Sequence, residues 1–156
     1  MTTTTTTIKP HWATQYSDRH SPHAREGCAA FDTVWAHLRR QGVRATNAGV
    51  GCVYLTEDGL RCAVGCLIPP GHPAERFSGN VHELIEAMPG VDLPLFGRHR
   101  DLLAQLQDVH DALEPQDWNG AMRAIARMVG FPAVEPFRWS GLDPTSETVC
   151  PVERVD

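Results

Sequence analysis

CVYLTEDGLRCAVGCLIPPGH (residues 52–72) places three cysteines and a histidine in one short stretch. Three readings compete: metal ligands, a reactive thiol, or small apolar side chains in a packed hairpin. The alternation favours the hairpin. Val53 and Leu55 alternate with Cys52, Tyr54 and Thr56, and Leu60, Cys62 and Val64 alternate with Arg61 and Ala63. That period puts one set of side chains on a buried face. Asp58-Gly59 between the runs suits a tight turn, because both residues tolerate positive φ. A two-residue turn sets Leu55 opposite Cys62 and Val53 opposite Val64. Gly65 then ends the second strand, and Pro69, Pro70 and Gly71 turn the chain away.

The segments around the hairpin read as helices. In residues 29–42, Phe31, Val34, Trp35 and Leu38 recur at helical spacing, with Arg39 and Arg40 in the last turn and Gly42 as C-cap. Residues 79–88 form a short helix capped by Ser78, with a stripe of Val81, Leu84, Ile85 and Met88, and Pro89-Gly90 stops it. Pro94 interrupts VDLPLF (91–96), which reads as an extended loop. Residues 98–113 carry Leu102, Leu103, Leu106, Val109 and Leu113 on one stripe. Residues 115–130 carry Trp118, Ala121, Met122, Ile125 and Val129, with Pro115 in the first turn and Gly130 as cap. The short link between these two predicts an antiparallel helical pair.

The expected fold is therefore α+β: a β-hairpin packed against three to four α-helices. A chain of 156 residues suits one domain and needs no staples to fold. Its boundaries are expected at an N-terminal tail (1–25), an α+β domain (26–139) and a C-terminal tail (140–156). Trp12 and Tyr16 are the residues of the first tail able to dock; Phe131, Phe137 and Trp139 anchor the chain before the last one. An exposed strand edge would offer a site for pairing with a second copy.

Charge narrows the partners. The net charge is −5, and thirteen of the fourteen basic residues are scattered Arg. That pattern disfavours nucleic acid, which calls for a clustered basic face. No apolar run is long enough for a membrane span, and MTTTTTTIKP lacks the basic-then-apolar pattern of a secretory signal. A cytoplasmic location and reduced thiols are the expectation, the five cysteines being an odd number.

Cys52, Cys62, Cys66 and His72 are residue types that suit zinc. Their spacing brings no close C-x2-C pair, and on a strand Cys62 and Cys66 lie roughly 13 Å apart. No metal or other cofactor is expected. The catalytic candidates are Cys62 or Cys66 as nucleophile, should the chain coil after Gly65, with a histidine such as His110 as base. QDVHD (107–111) sets His110 beside Asp111, with Asp117 and Trp118 just beyond. A histidine packed at a helix end explains the same pattern without chemistry. HELIE (82–86) is not the zinc-protease H-E-x-x-H, and His82 and Glu83 fall on the solvated side of their helix.

Three pieces recur together: C-x-Y (Cys52, Tyr54) followed by DGLRCAVGCLIP (58–69), LLAQLQDVHD (102–111), and Asp117-Trp118 opening an Ala-rich helix. Together they resemble a family of small proteins of bacteria and their phages with no established activity. The resemblance covers about residues 29–130. It implies a single α+β domain of bacterial or phage origin and carries over no catalytic residues. The leading functional expectation is a small non-enzymatic binding or interaction protein, an accessory or host-modulating factor, with a protein partner or a second copy of itself. A thiol-dependent hydrolase or transferase and a zinc-supported interaction module rank below it.

Overall fold

The computed structural model describes residues 8–47, 51–88 and 93–132, with only the backbone of 51 and 52. The chain is mostly helical, and this corrects the expected α+β class. The elements are α1 (Pro22–Gln41), β1 (Thr46–Asn47), β2 (Gly51–Cys52), α2 (Val81–Ala87), α3 (Pro94–Arg98), α4 (Arg100–Ala112) and α5 (Trp118–Val129). Short 3₁₀ turns at His11–Tyr16, Gly65–Leu67, Pro73–Arg76 and Pro115–Asp117 join them.

The central α1 begins about two turns before the sequence pattern shows it. Ser21 caps it, accepting from the Ala24 N–H at 3.1 Å, and Pro22 sits where a missing N–H costs nothing. The early stripe of Ala24, Gly27 and Cys28 is small rather than bulky, so a search for large apolar residues passes over it. Phe31, Val34, Trp35 and Leu38 continue the buried face. Gly42 ends the helix at φ 67°, where a side chain would be strained. Each large side chain on this seam contributes roughly 1.5–3 kcal/mol by leaving water.

The expected hairpin is a loop with a shifted register. Leu55 bridges Arg61, and the Cys62 N–H donates to the Tyr54 carbonyl at 3.3 Å. The predicted pairing set Leu55 against Cys62, one residue away. Of the residues expected to point inward, Val53, Cys62 and Val64 are buried, and Leu55 is not. Tyr54 and Cys62 point inward and are buried, while Leu55 and Leu60 are half-buried. Thr56 causes the slip. Its N–H donates to the Leu60 carbonyl at 2.8 Å, its Oγ1 accepts from the Leu60 N–H at 2.9 Å, and its carbonyl accepts from Gly59 at 3.0 Å. These bonds close a longer turn around Asp58-Gly59 than the two-residue one. After Val64 the chain coils into the Gly65–Leu67 turn, so no second strand extends. The ladder of β1 on β2 is two residues long on each side. An edge that short gives no support to pairing with a second copy.

Two further boundaries move. Asn80, not Ser78, caps α2 through a reciprocal pair with Glu83, at 2.9 and 2.8 Å. Pro94 starts α3 instead of holding a loop, because proline is favoured at the first helical position. Residues 8–25, read as tail, pack on the core: Ala13 and Tyr16 are buried. The α4 and α5 stripes meet each other as expected. The readings on 48–50, Pro89-Gly90, 91–92, Phe137, Trp139 and the tail 140–156 lie outside the described residues. Among the described residues, no helix is long and apolar enough to cross a membrane.

Candidate functional site

The stretch around the cysteines is organised by Arg61. Its guanidinium donates to the Gly65 carbonyl at 3.0 Å and binds the Glu75 carboxylate. Glu75 also accepts from the Gly71 N–H at 2.6 Å. Burial by itself would raise the Glu75 carboxyl, but the Gly71 N–H and Arg61 outweigh it and hold the group below the usual carboxylate range. The Arg61 backbone is held from α1. Its N–H donates to Gln41 Oε1 at 2.9 Å, and its carbonyl accepts from Gln41 Nε2 at 2.8 Å and from His37 Nε2 at 2.9 Å.

Cys62 and Cys66 lie within this scaffold as free thiols. Cys62 is fully buried, and its Sγ accepts from the Gly65 N–H at 3.2 Å. That bond favours the thiolate, but burial dominates and pushes the thiol up to about 12. Cys66 Sγ donates to the Ala63 carbonyl at 3.1 Å, and burial pushes this thiol also up to about 12. A nucleophilic cysteine needs the opposite displacement. The coil at Gly65 removes the strand geometry that kept Cys62 and Cys66 apart. No cluster able to hold a metal ion occurs among the described residues, and the Cys52 side chain of the zinc reading lies outside them. His72 is used otherwise: its Nδ1 accepts from the Ala74 N–H at 3.1 Å and caps the Pro73–Arg76 turn.

His110 is fully buried with both ring nitrogens engaged. Nε2 accepts from the Ala45 N–H at 3.0 Å, so the proton sits on Nδ1 and is donated to Asp111 Oδ1 at 2.7 Å. The ring stacks on Trp118 at 5.6 Å. A base needs a free lone pair, and the Ala45 amide occupies this one. The arrangement ties α4 to the segment entering β1. Tyr54 lies in the same interior and donates to Gln107 Oε1 at 3.4 Å; burial raises its hydroxyl above the usual range. Burial also lowers His37, against the pull of its bond to the Arg61 carbonyl.

A second cluster was not read from the sequence at all. It joins Tyr16, His23, Glu26, Arg98 and His99. Arg98 binds both oxygens of Glu26, at 2.7 and 2.9 Å, and Glu26 Oε1 lies 2.7 Å from His99 Nε2. The bond to Arg98 is the main cause that lowers the Glu26 carboxyl. A carboxylate only accepts, so His99 Nε2 carries the proton and Nδ1 accepts from the Tyr16 hydroxyl at 2.7 Å. His23 stacks on His99 at 4.3 Å, and its own Nε2 is buried without a hydrogen-bond partner among the described residues. Gly27 makes room for the Tyr16 ring, since a Cβ there would meet Tyr16 Cε1 at 2.5 Å. The signal available beforehand was Ser21-Pro22, a cap followed by a helix-starting proline. It places His23 and Glu26 on the first turns of α1.

The Asp32 Oδ2 is buried with no partner among the described residues, and burial pushes its carboxyl up to about 7. Cys28 is disulfide-bonded, which corrects the expectation of reduced thiols throughout. Its partner lies outside the described side chains. Alkylation of the denatured protein without reductant is therefore expected to modify three of the five cysteines, two being in the disulfide, and with reductant all five. Five modified in both conditions would show Cys28 reduced.

No family model, curated protein or solved structure matches the chain. The resemblance to small bacterial and phage proteins therefore rests on the residues quoted for it.

Proposed function

We propose that the chain is a non-enzymatic binding protein, an accessory or host-modulating factor of bacterial or phage origin acting on a protein partner. One observation carries this reading. The residues with the most reactive chemistry in the motif are committed to the fold: Cys62 and Cys66 to backbone groups, and His110 to the Ala45 amide and Asp111. The motif residues Arg61, Cys62 and Gly65 act together as a scaffold joining α1 to the loop at Glu75. A net charge of −5 with dispersed Arg favours a protein over nucleic acid as partner. Among the described residues, the exposed large apolar side chains are Ile8 and Val43.

The test is thiol reactivity of the native protein at neutral pH. Burial raises each thiol to about 12, so each carries far less thiolate than free cysteine at neutral pH. Cys62 and Cys66 are expected to react with a disulfide reagent at least about tenfold more slowly than free cysteine. A thiol that reacts faster than free cysteine would sink this reading and restore the thiol enzyme.

A further inference from the structure

We propose that the relay from Tyr16 through His99 to Glu26, covered by the His23 ring, is an acid-released latch that holds the N-terminal segment on the helical core. The segment before α1 reaches the core through few groups. Ala13 and Tyr16 are its buried residues, Trp12 packs partly, and Tyr16 supplies its one buried side-chain hydrogen bond among the described residues. The Tyr16 ring stacks on His23 at 5.2 Å and on His99 at 5.7 Å and meets Phe131 edge-on at 5.4 Å.

The bond from Tyr16 to His99 exists in one protonation state. Neutral His99 gives its single proton to Glu26 and keeps a lone pair for Tyr16. A second proton on Nδ1 converts that acceptor into a donor. Tyr16 must then turn its own hydrogen away, into a buried space where no other acceptor bonds it among the described residues. Leaving such a group unmade is costly.

The surrounding charges do not rescue the cation. From α1 come Glu26 and His23. Glu26 is already neutralised by Arg98 of α3, and the His23 ring lies face to face with His99, where two imidazolium ions repel. Burial raises the Tyr16 hydroxyl most, and Asp101 from α4 and Glu26 add to it. Phe131, which follows α5, brings no charge. Burial is the largest influence on His99 and lowers it, ahead of the opposing bond to Glu26. A histidine lowered in the closed state holds its proton more tightly once released. The latch is therefore complete above the ordinary histidine range, near pH 6.5, and weakens as pH falls below it.

The experiment is hydrogen exchange of the full chain at pH 7.5 and 5.0, corrected to protection factors. The Ala13 and Ser17 amides, bonded to Pro10 and Thr14, report the segment, and Leu106 and Ile125 report the core. Protection at Ala13 and Ser17 is expected to fall by about tenfold on acidification while the core keeps its own. Tyr16→Phe retains the ring and the packing but has no hydroxyl to orient. In that variant the pH dependence at Ala13 and Ser17 is expected to flatten. The latch is overturned if wild-type protection there does not change, if it falls in step with the core, or if Tyr16→Phe keeps the full pH dependence.

Discussion

Gly65→Ala is expected to destabilise the protein by about 3 kcal/mol, at the upper end of what overpacking costs. The backbone angle is not the cause, because Gly65 does not have positive φ. The cause is space: a Cβ at Gly65 would lie 2.2 Å from the Tyr54 carbonyl oxygen and 3.3 Å from Cys62 Sγ. The obstacle is backbone, and both sides of it are held. Tyr54 O accepts from the Cys62 N–H, Gly65 donates to Cys62 Sγ, and Gly65 O accepts from Arg61. Relief requires moving the loop that Arg61 and Glu75 clamp. Chemical denaturation of the variant beside Gly120→Ala checks this. Gly120 lies exposed in the first turn of α5 with nothing near its Cβ position, so that change should be neutral or slightly stabilising. Equal midpoints for the two variants would mean that the turn after Cys62 is free to move, and would remove the scaffold role of this stretch.

His110→Ala is expected to cost a similar amount, about 3 kcal/mol, from two sources. The Ala45 N–H loses its acceptor in the interior, worth roughly 1–3 kcal/mol. The ring's departure also opens a cavity against Trp118. His110→Phe separates the two, since it fills the volume but strands the same amide, and should retain roughly the first cost alone. Urea unfolding of both variants reads the difference. Any loss of biological function in His110→Ala should follow the loss of folded protein. A variant as stable as wild type would show that the ring is not needed for the fold and would return His110 to the list of possible bases.

Helical periodicity was legible wherever large apolar residues marked it. The stripes of α4 and α5 and the second half of α1 are read directly from Leu, Val, Trp, Met and Ile at helical spacing. The start of α1 was hidden because its buried face there is Ala24, Gly27 and Cys28. Small residues bury well against a ring such as Tyr16 without raising the local hydropathy. The turn at Asp58-Gly59 was legible as a turn, but its length was not. Thr56 chose it by bonding Leu60 from both backbone and side chain, and periodicity carries no information about such bonds. The resulting slip left Leu55 half-buried and brought Tyr54 in beside Val53, Cys62 and Val64, and with no second hairpin strand the chain is mostly helix where α+β was expected.

The candidate sites divide in the same way. Proximity in sequence showed His110 beside Asp111 and Cys62 near Cys66. Which lone pairs stay free depends on partners far along the chain: Ala45 for His110, Tyr54 and Gln41 for the loop around Cys62. The relay from Tyr16 to His99 spans more than half of the described chain and left no local pattern at all. What the amino-acid order determined alone is α2, α4, α5 and the later part of α1, the caps at Gly42 and Gly130 and the mild acidity, because these follow from interactions within a few residues and from composition. Only the tertiary structure decided the register of the central loop, the burial that raises its thiols and the meeting of Tyr16, His23, Glu26 and His99. Each of these depends on desolvation and hydrogen bonding between segments that become neighbours only when the chain has folded.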